Sequence, residues 1–193
     1  MHTARVQGRL VGRGEVVRIA FRPAMFQPLL RAPMASISER VFRVADLLGP
    51  KADAWARAIR AEPDIAGKLA IAEAFLAPLL LPMDPEVVRF RDLVERMATD
   101  RTLLRVEDAA AIADLDVRAL QRAFRTYVGV SPKWIIRRYR LHEAAEQLKA
   151  RHAPALAALA ASLGYADQSH FAREFKLVVG LTPRSFARVW CRD

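Results

Sequence analysis

The chain of 193 residues carries 31 Lys+Arg against 21 Asp+Glu, a formal charge of +10, and is 53% hydrophobic. That apolar content excludes a disordered chain, and the single cysteine, Cys191, excludes a disulfide scaffold. The first twenty residues lack the continuous apolar core of a signal peptide. The longest apolar run, Ala74 to Met83, is about half a bilayer span and contains two prolines, so a cytoplasmic protein with no membrane partner is expected.

In chain order, Arg5 to Pro23 reads as a small β-hairpin, two short strands around Gly12-Arg13-Gly14, the second being Val16 to Phe21. Three helices are predicted next. The first starts at Ser36 with Glu39 as its capping-box partner and aligns Ile37, Val41, Val44 and Leu48 before Gly49-Pro50. A second carries Trp55 and Ile59. A third begins near Asp64, aligns Ile65, Leu69, Ala72, Leu76 and Leu80, and should kink or end at Pro78. Two prolines within Leu81 to Glu86 mark a boundary, giving segments 1–83 and 84–193.

Beyond the boundary the pattern is helical and repeats itself. Arg122-x-Phe124-x4-Gly129-Val130-Ser131-Pro132 recurs 51 residues later as Arg173-x-Phe175-x4-Gly180-Leu181-Thr182-Pro183. In each copy the Phe suits a buried helix face, the Gly a helix end, Ser or Thr the next N-cap, and Pro the first helical position. Charge follows the repeat. Residues 1–86 hold 12 basic and 9 acidic side chains, and residues 87–193 hold 19 and 12. A polyanion such as nucleic acid is the partner this excess points to.

Each copy sits in a helix, a three-residue turn and a second helix. In the first, Val106 to Ala113 precedes Asp114-Leu115-Asp116 and a helix with Val117, Leu120, Phe124 and Tyr127 inward. Its other face carries Arg118, Gln121, Arg122 and Arg125 at i, i+3, i+4 and i+7. Arg and Gln are the side chains that make paired hydrogen bonds to guanine and adenine edges in the major groove. In the second, Ala155 to Leu163 leads through Gly164-Tyr165-Ala166 to a helix capped by Asp167, with Phe171, Phe175 and Val178 inward and Gln168, Ser169, Ala172, Arg173 and Lys176 outward. Between the units, Pro132 to Lys149 reads as one helix of about 27 Å. With its flanking turns, it could set two recognition helices roughly 34 Å apart, one turn of the duplex.

Residues 87–193 resemble the DNA-binding domain of the AraC/XylS family of bacterial transcription regulators. The second unit carries the likeness in Leu163-Gly164-Tyr165-x-Asp167-Gln168-Ser169-His170-Phe171-x-Arg173-x-Phe175-Lys176, and the linker helix in Arg140-Leu141-x2-Ala144-x3-Leu148. The resemblance implies a mainly α, seven-helix domain with two helix-turn-helix motifs, acting as a sequence-specific double-stranded DNA-binding transcription regulator. It implies base contacts from Arg118, Gln121, Arg122, Gln168, Ser169, Ala172 and Arg173, and phosphate contacts from Arg125, Lys133 and Lys176. RNA polymerase is a partner it also suggests. Val17 to Pro23 resembles the last strand of a sensor barrel, with too few residues ahead of it here for an enclosed effector pocket. Residues 36–81 then offer a homodimerisation surface.

No phosphate loop, nucleophile triad or carboxylate pair stands out, so neither an enzyme nor a cofactor is expected. His2, His142, His152 and His170 match no metal spacing, and a lone terminal Cys191 is read as inert. His170 and Glu174 are spaced as an i,i+4 pair. The alternative reading is a helical protein-interaction adaptor in which the repeats only stack helices.

Overall fold

The computed structural model describes residues 17–30, 32–80, 82–150 and 154–190. In chain order these form α1 (Gln27–Leu30), a 3-10 turn (Met34–Ile37), α2 (Val44–Leu48), α3 (Lys51–Ala61), α4 (Ile65–Leu80), α5 (Pro85–Thr99), α6 (Val106–Ile112), α7 (Val117–Tyr127), α8 (Pro132–Lys149), α9 (Leu156–Ser162), α10 (Gln168–Val179) and α11 (Pro183–Trp190). The fold is mainly α, with no strand among the described residues. The first strand of the expected hairpin and its glycine turn lie outside them. Residues 17–21, the described part of the expected second strand, form no ladder with other described residues, and Phe21 packs edge-on against Phe26 at 4.9 Å.

The single helix expected from Ser36 to Leu48 is broken. Ser36 Oγ donates to the Pro33 carbonyl at 2.8 Å, so it serves the 3-10 turn instead of capping a helix. Ser38 Oγ donates to the Gly129 carbonyl at 2.7 Å, and Glu39 then takes φ +62°. Docking of this turn on the end of α7 outweighs the local capping signal, and helix resumes only at Val44. The later predictions fare better. Trp55 of α3 stacks on Phe75 of α4 at 4.6 Å, and the Asp64 carboxylate accepts from the Ala66 and Gly67 N–H groups at 2.9 and 3.2 Å. Ala72 and Leu76 are buried, but Ile65 and Leu69 of the same row are 59% and 57% exposed. Pro78 falls in the last turn of α4, where its missing N–H forgoes the bond to the Ala74 carbonyl, yet the helix runs on for two more residues to Leu80.

The C-terminal half is built around α8, which walls two cores at once. Its first half contributes Ile135 and Ile136 to a cluster with Phe90, Leu120, Phe124 and Val128. Its second half contributes Leu141, Ala144 and Leu148 to a cluster with Leu159, Phe171, Phe175 and Phe186. Helix α5 starts at Asp84, whose carboxylate accepts from the Glu86 N–H at 2.9 Å, and turns Val87, Phe90, Leu93, Val94 and Met97 inward. Ala24 is buried in the first cluster as well, so the segment before the boundary packs on the first unit. No single helix among the described residues is long and apolar enough to cross a membrane.

Candidate nucleic-acid interface

The first unit is positioned by local bonds at its helix ends and by a brace from α5. The Arg105 N–H donates to the Asp108 carboxylate at 2.9 Å as α6 begins. Where α6 ends, Asp114 adopts φ +48°, and the N–H groups of Asp114 and Leu115 return to the carbonyls of Ala111 and Ala110 at 3.1 and 3.0 Å. Arg89 of α5 donates to the Ala113 carbonyl, satisfying an acceptor left free by the helix end. The Asp116 carboxylate then caps α7, accepting from the Ala119 N–H at 2.7 Å.

Helix α7 divides cleanly. Leu120 and Phe124 are fully buried, Val117 and Tyr127 are half-buried, and Phe90 meets Phe124 edge-on and Tyr127 face-on. Arg118, Gln121, Arg122 and Arg125 are all exposed on the opposite side. Among the described residues none of these three guanidinium groups has an ion-pair partner. Arg89 and Arg137, off this face, are each paired with a carboxylate. The face therefore presents uncompensated positive charge to solvent, which suits an anionic partner.

The second unit repeats the plan with one extra residue in its turn. Gly164 holds φ +75°, and the N–H groups of Gly164 and Tyr165 reach the carbonyls of Ala161 and Ala160 at 3.0 Å each, the same pair of bonds as in unit one. Asp167 caps α10 through the His170 N–H at 2.8 Å. That bond, above all, holds its carboxyl below the ordinary value of 3.8. Phe171 and Phe175 are fully buried, and Gly180 closes α10 in the left-handed conformation at φ +88°, matching Gly129 at +87°. Ser131 and Thr182 cap the following helices at 3.2 Å each, to Trp134 and Ser185.

On α10, Ser169, Arg173 and Lys176 are exposed, whereas Gln168 and Ala172 are half-buried. Lys133 is exposed in the first turn of α8. The second face is thus narrower than the first and carries less charge. Two features escaped the sequence reading. A shallow groove beside Arg122, Arg125 and Thr126 has Pro33, Ala35 and Ser36 as its other wall, a meeting of segments about ninety residues apart. Glu174 pairs with His170 as the spacing suggested, at 3.1 Å, but also accepts from Arg137 and from the Tyr165 hydroxyl. Burial and that carboxylate push the Tyr165 hydroxyl well above its usual range, so it remains a protonated donor. No group of three or more His, Cys, Asp or Glu among the described residues could hold a metal. His2, His152 and Cys191 lie outside those residues.

The sequence profile of a helix-turn-helix domain family matches residues 109–188, from within α6 to within α11. A Streptomyces antibioticus protein named as an AraC-like transcription regulator is 34% identical over 83 residues. Residues 109–188 are an AraC-type helix-turn-helix domain. The aligned stretch is 43% of this chain and 27% of the Streptomyces protein, so the chain spans about a quarter of that relative. Among solved structures, the C-terminal domain of AraT, a response regulator from Geobacillus stearothermophilus, is 22% identical with a TM-score of 0.48, covering 58% of this chain and 91% of that one. The matched segment contains the whole of α7, α8 and α10.

Proposed function

We propose that the chain is a sequence-specific double-stranded DNA-binding transcription regulator that lays α7 and α10 into successive major grooves on one side of the duplex. The observation that carries this reading is the unpaired, exposed row Arg118, Gln121, Arg122 and Arg125 on the second helix of an AraC-type motif. Arg118, Gln121 and Arg122 read base edges from α7, and Gln168, Ser169, Ala172 and Arg173 do so from α10. Half-burial of Gln168 and Ala172 makes the second contact the weaker reader. Arg125, Lys133 and Lys176 hold phosphates and fix the register without carrying sequence information. The domain has the seven helices α5 to α11, residues 36–81 supply a homodimerisation surface, and RNA polymerase is the partner through which regulation acts.

Binding of the full chain to its selected duplex, followed by fluorescence anisotropy at rising salt, tests this reading. Three phosphate contacts predict a slope of log affinity against log salt of about −3, since each contributes about −0.9. Affinity that ignores salt, or that is equal for selected and scrambled duplexes, rejects it.

A further inference from the structure

The two units share their caps but differ in what ties the second helix of each to α8. In unit one the tie is apolar: the residues 51 positions before His170 and Glu174 are Ala119 and Ala123, and Ala123 packs on the first core. In unit two it is a charged hub. The Glu174 side chain, only 14% exposed, takes the Arg137 guanidinium as a fork, Nε donating to Oε2 at 3.0 Å and Nη2 to Oε1. The Tyr165 hydroxyl donates to Oε2 at 3.1 Å, and His170 Nε2 lies 3.1 Å from Oε1.

One helical turn beyond Arg137, Arg140 serves the other unit. Its Nη2 donates to the Leu104 carbonyl just ahead of α6, and its guanidinium lies against the Gly164 turn, 3.5 Å from where a β-carbon there would stand. Two arginines three residues apart on α8 therefore bind the first unit's loop and the second unit's recognition helix. A guanidinium–carboxylate fork fixes orientation as well as distance, because both N–H bonds must stay parallel and in plane. Glu174 faces α8 while its neighbour Arg173 faces out, so the hub acts on DNA only through the helix that it holds.

We propose that Glu174, gripped by Arg137, is the positioning residue that locks the second recognition helix to α8 and thereby sets the half-site spacing the protein accepts. The inference rests on the two-groove reading above. The variant Glu174→Gln keeps the shape of the side chain and an acceptor for Tyr165 but removes the charge. Arg137→Lys keeps the charge and loses the fork.

The test uses the full chain on duplexes built from its selected site with one base pair added or removed between the half-sites. Each such change moves the second groove by about 3.4 Å and turns it by about 35°. The wild type should lose roughly tenfold in affinity per step, equivalent to about 1.4 kcal/mol. Glu174→Gln should lose less than about threefold per step, with unchanged affinity for the first half-site alone and a cooperative thermal unfolding transition. Arg137→Lys should fall between, and it carries the test if Glu174→Gln does not fold. A variant that binds every spacing more weakly by one common factor, or that keeps the wild-type spacing preference, overturns the proposal. A wild type that selects no paired half-sites at all refutes the two-groove reading itself, and the inference falls with it.

Discussion

Gly129 ends α7 and is the point at which the N-terminal segment grips the domain, so Gly129→Ala probes both roles. Its φ of +87° costs an L-residue about 1–2 kcal/mol wherever it occurs. A β-carbon there would also stand 2.8 Å from Ser38 Oγ and 3.0 Å from the Met34 carbonyl oxygen. The carbonyl belongs to backbone and has to move, and overpacking of this kind adds roughly 1–3 kcal/mol. Gly164→Ala is the matched control. Its φ is +75°, but the nearest atom to an added β-carbon is Arg140 Nη1 at 3.5 Å, an ordinary contact. Urea denaturation should therefore show Gly164→Ala down by about 1–2 kcal/mol and Gly129→Ala down by about 2–5 kcal/mol. Removing Ser38 Oγ with Ser38→Ala should recover only part of the excess, because the Met34 carbonyl remains. Equal destabilisation at the two glycines would refute the claim that residues 34–38 are packed on the end of α7.

Gln121→Ala and Arg122→Ala should each cost about 1–3 kcal/mol on the selected duplex and relax preference at one base pair, measured by competition with single-position variants. An equal loss on random DNA would make them phosphate contacts. Arg125→Ala should weaken binding to all sequences alike and lower the salt slope by about 1. The Asp167 carboxyl is held below its usual value in the folded protein, so its contribution is complete above the unfolded value of 3.8 and is lost as pH falls through the lower folded one. Asp167→Asn should accordingly flatten the decline of the urea midpoint below about pH 4, and an unchanged acid profile would contradict the cap.

The helix-turn-helix repeat was legible because every signal in it is local. Asp116 and Asp167 cap the residues three ahead of them, Gly129 and Gly180 end helices, and Phe124 and Phe175 are the buried rings that the periodicity placed inward. The N-terminal part misled where a local signal met a tertiary one. Ser36 and Glu39 look like a capping box, yet Ser38 finds a carbonyl 91 residues away and the helix gives way. Residues 17–21 have the alternation of a strand, and the strand expected to pair with them lies outside the described residues. The exposed faces of α7 and α10 followed from helical spacing, whereas the half-burial of Gln168 and Ala172 depends on how α10 lies against its neighbours, which no spacing encodes. Glu174 was visible only as half of an i,i+4 pair, since Arg137 reaches it from another helix 37 residues away.

The central claim is that α7 and α10 both read bases. Selection of duplexes from a random library by the full chain, repeated with Arg122→Ala and with Arg173→Ala, tests it most directly. The account predicts two blocks of base preference about one helical turn, or 10–10.5 base pairs, apart, with Arg122→Ala blurring one block and Arg173→Ala the other. A single block untouched by Arg173→Ala, or no enrichment at all, would contradict it.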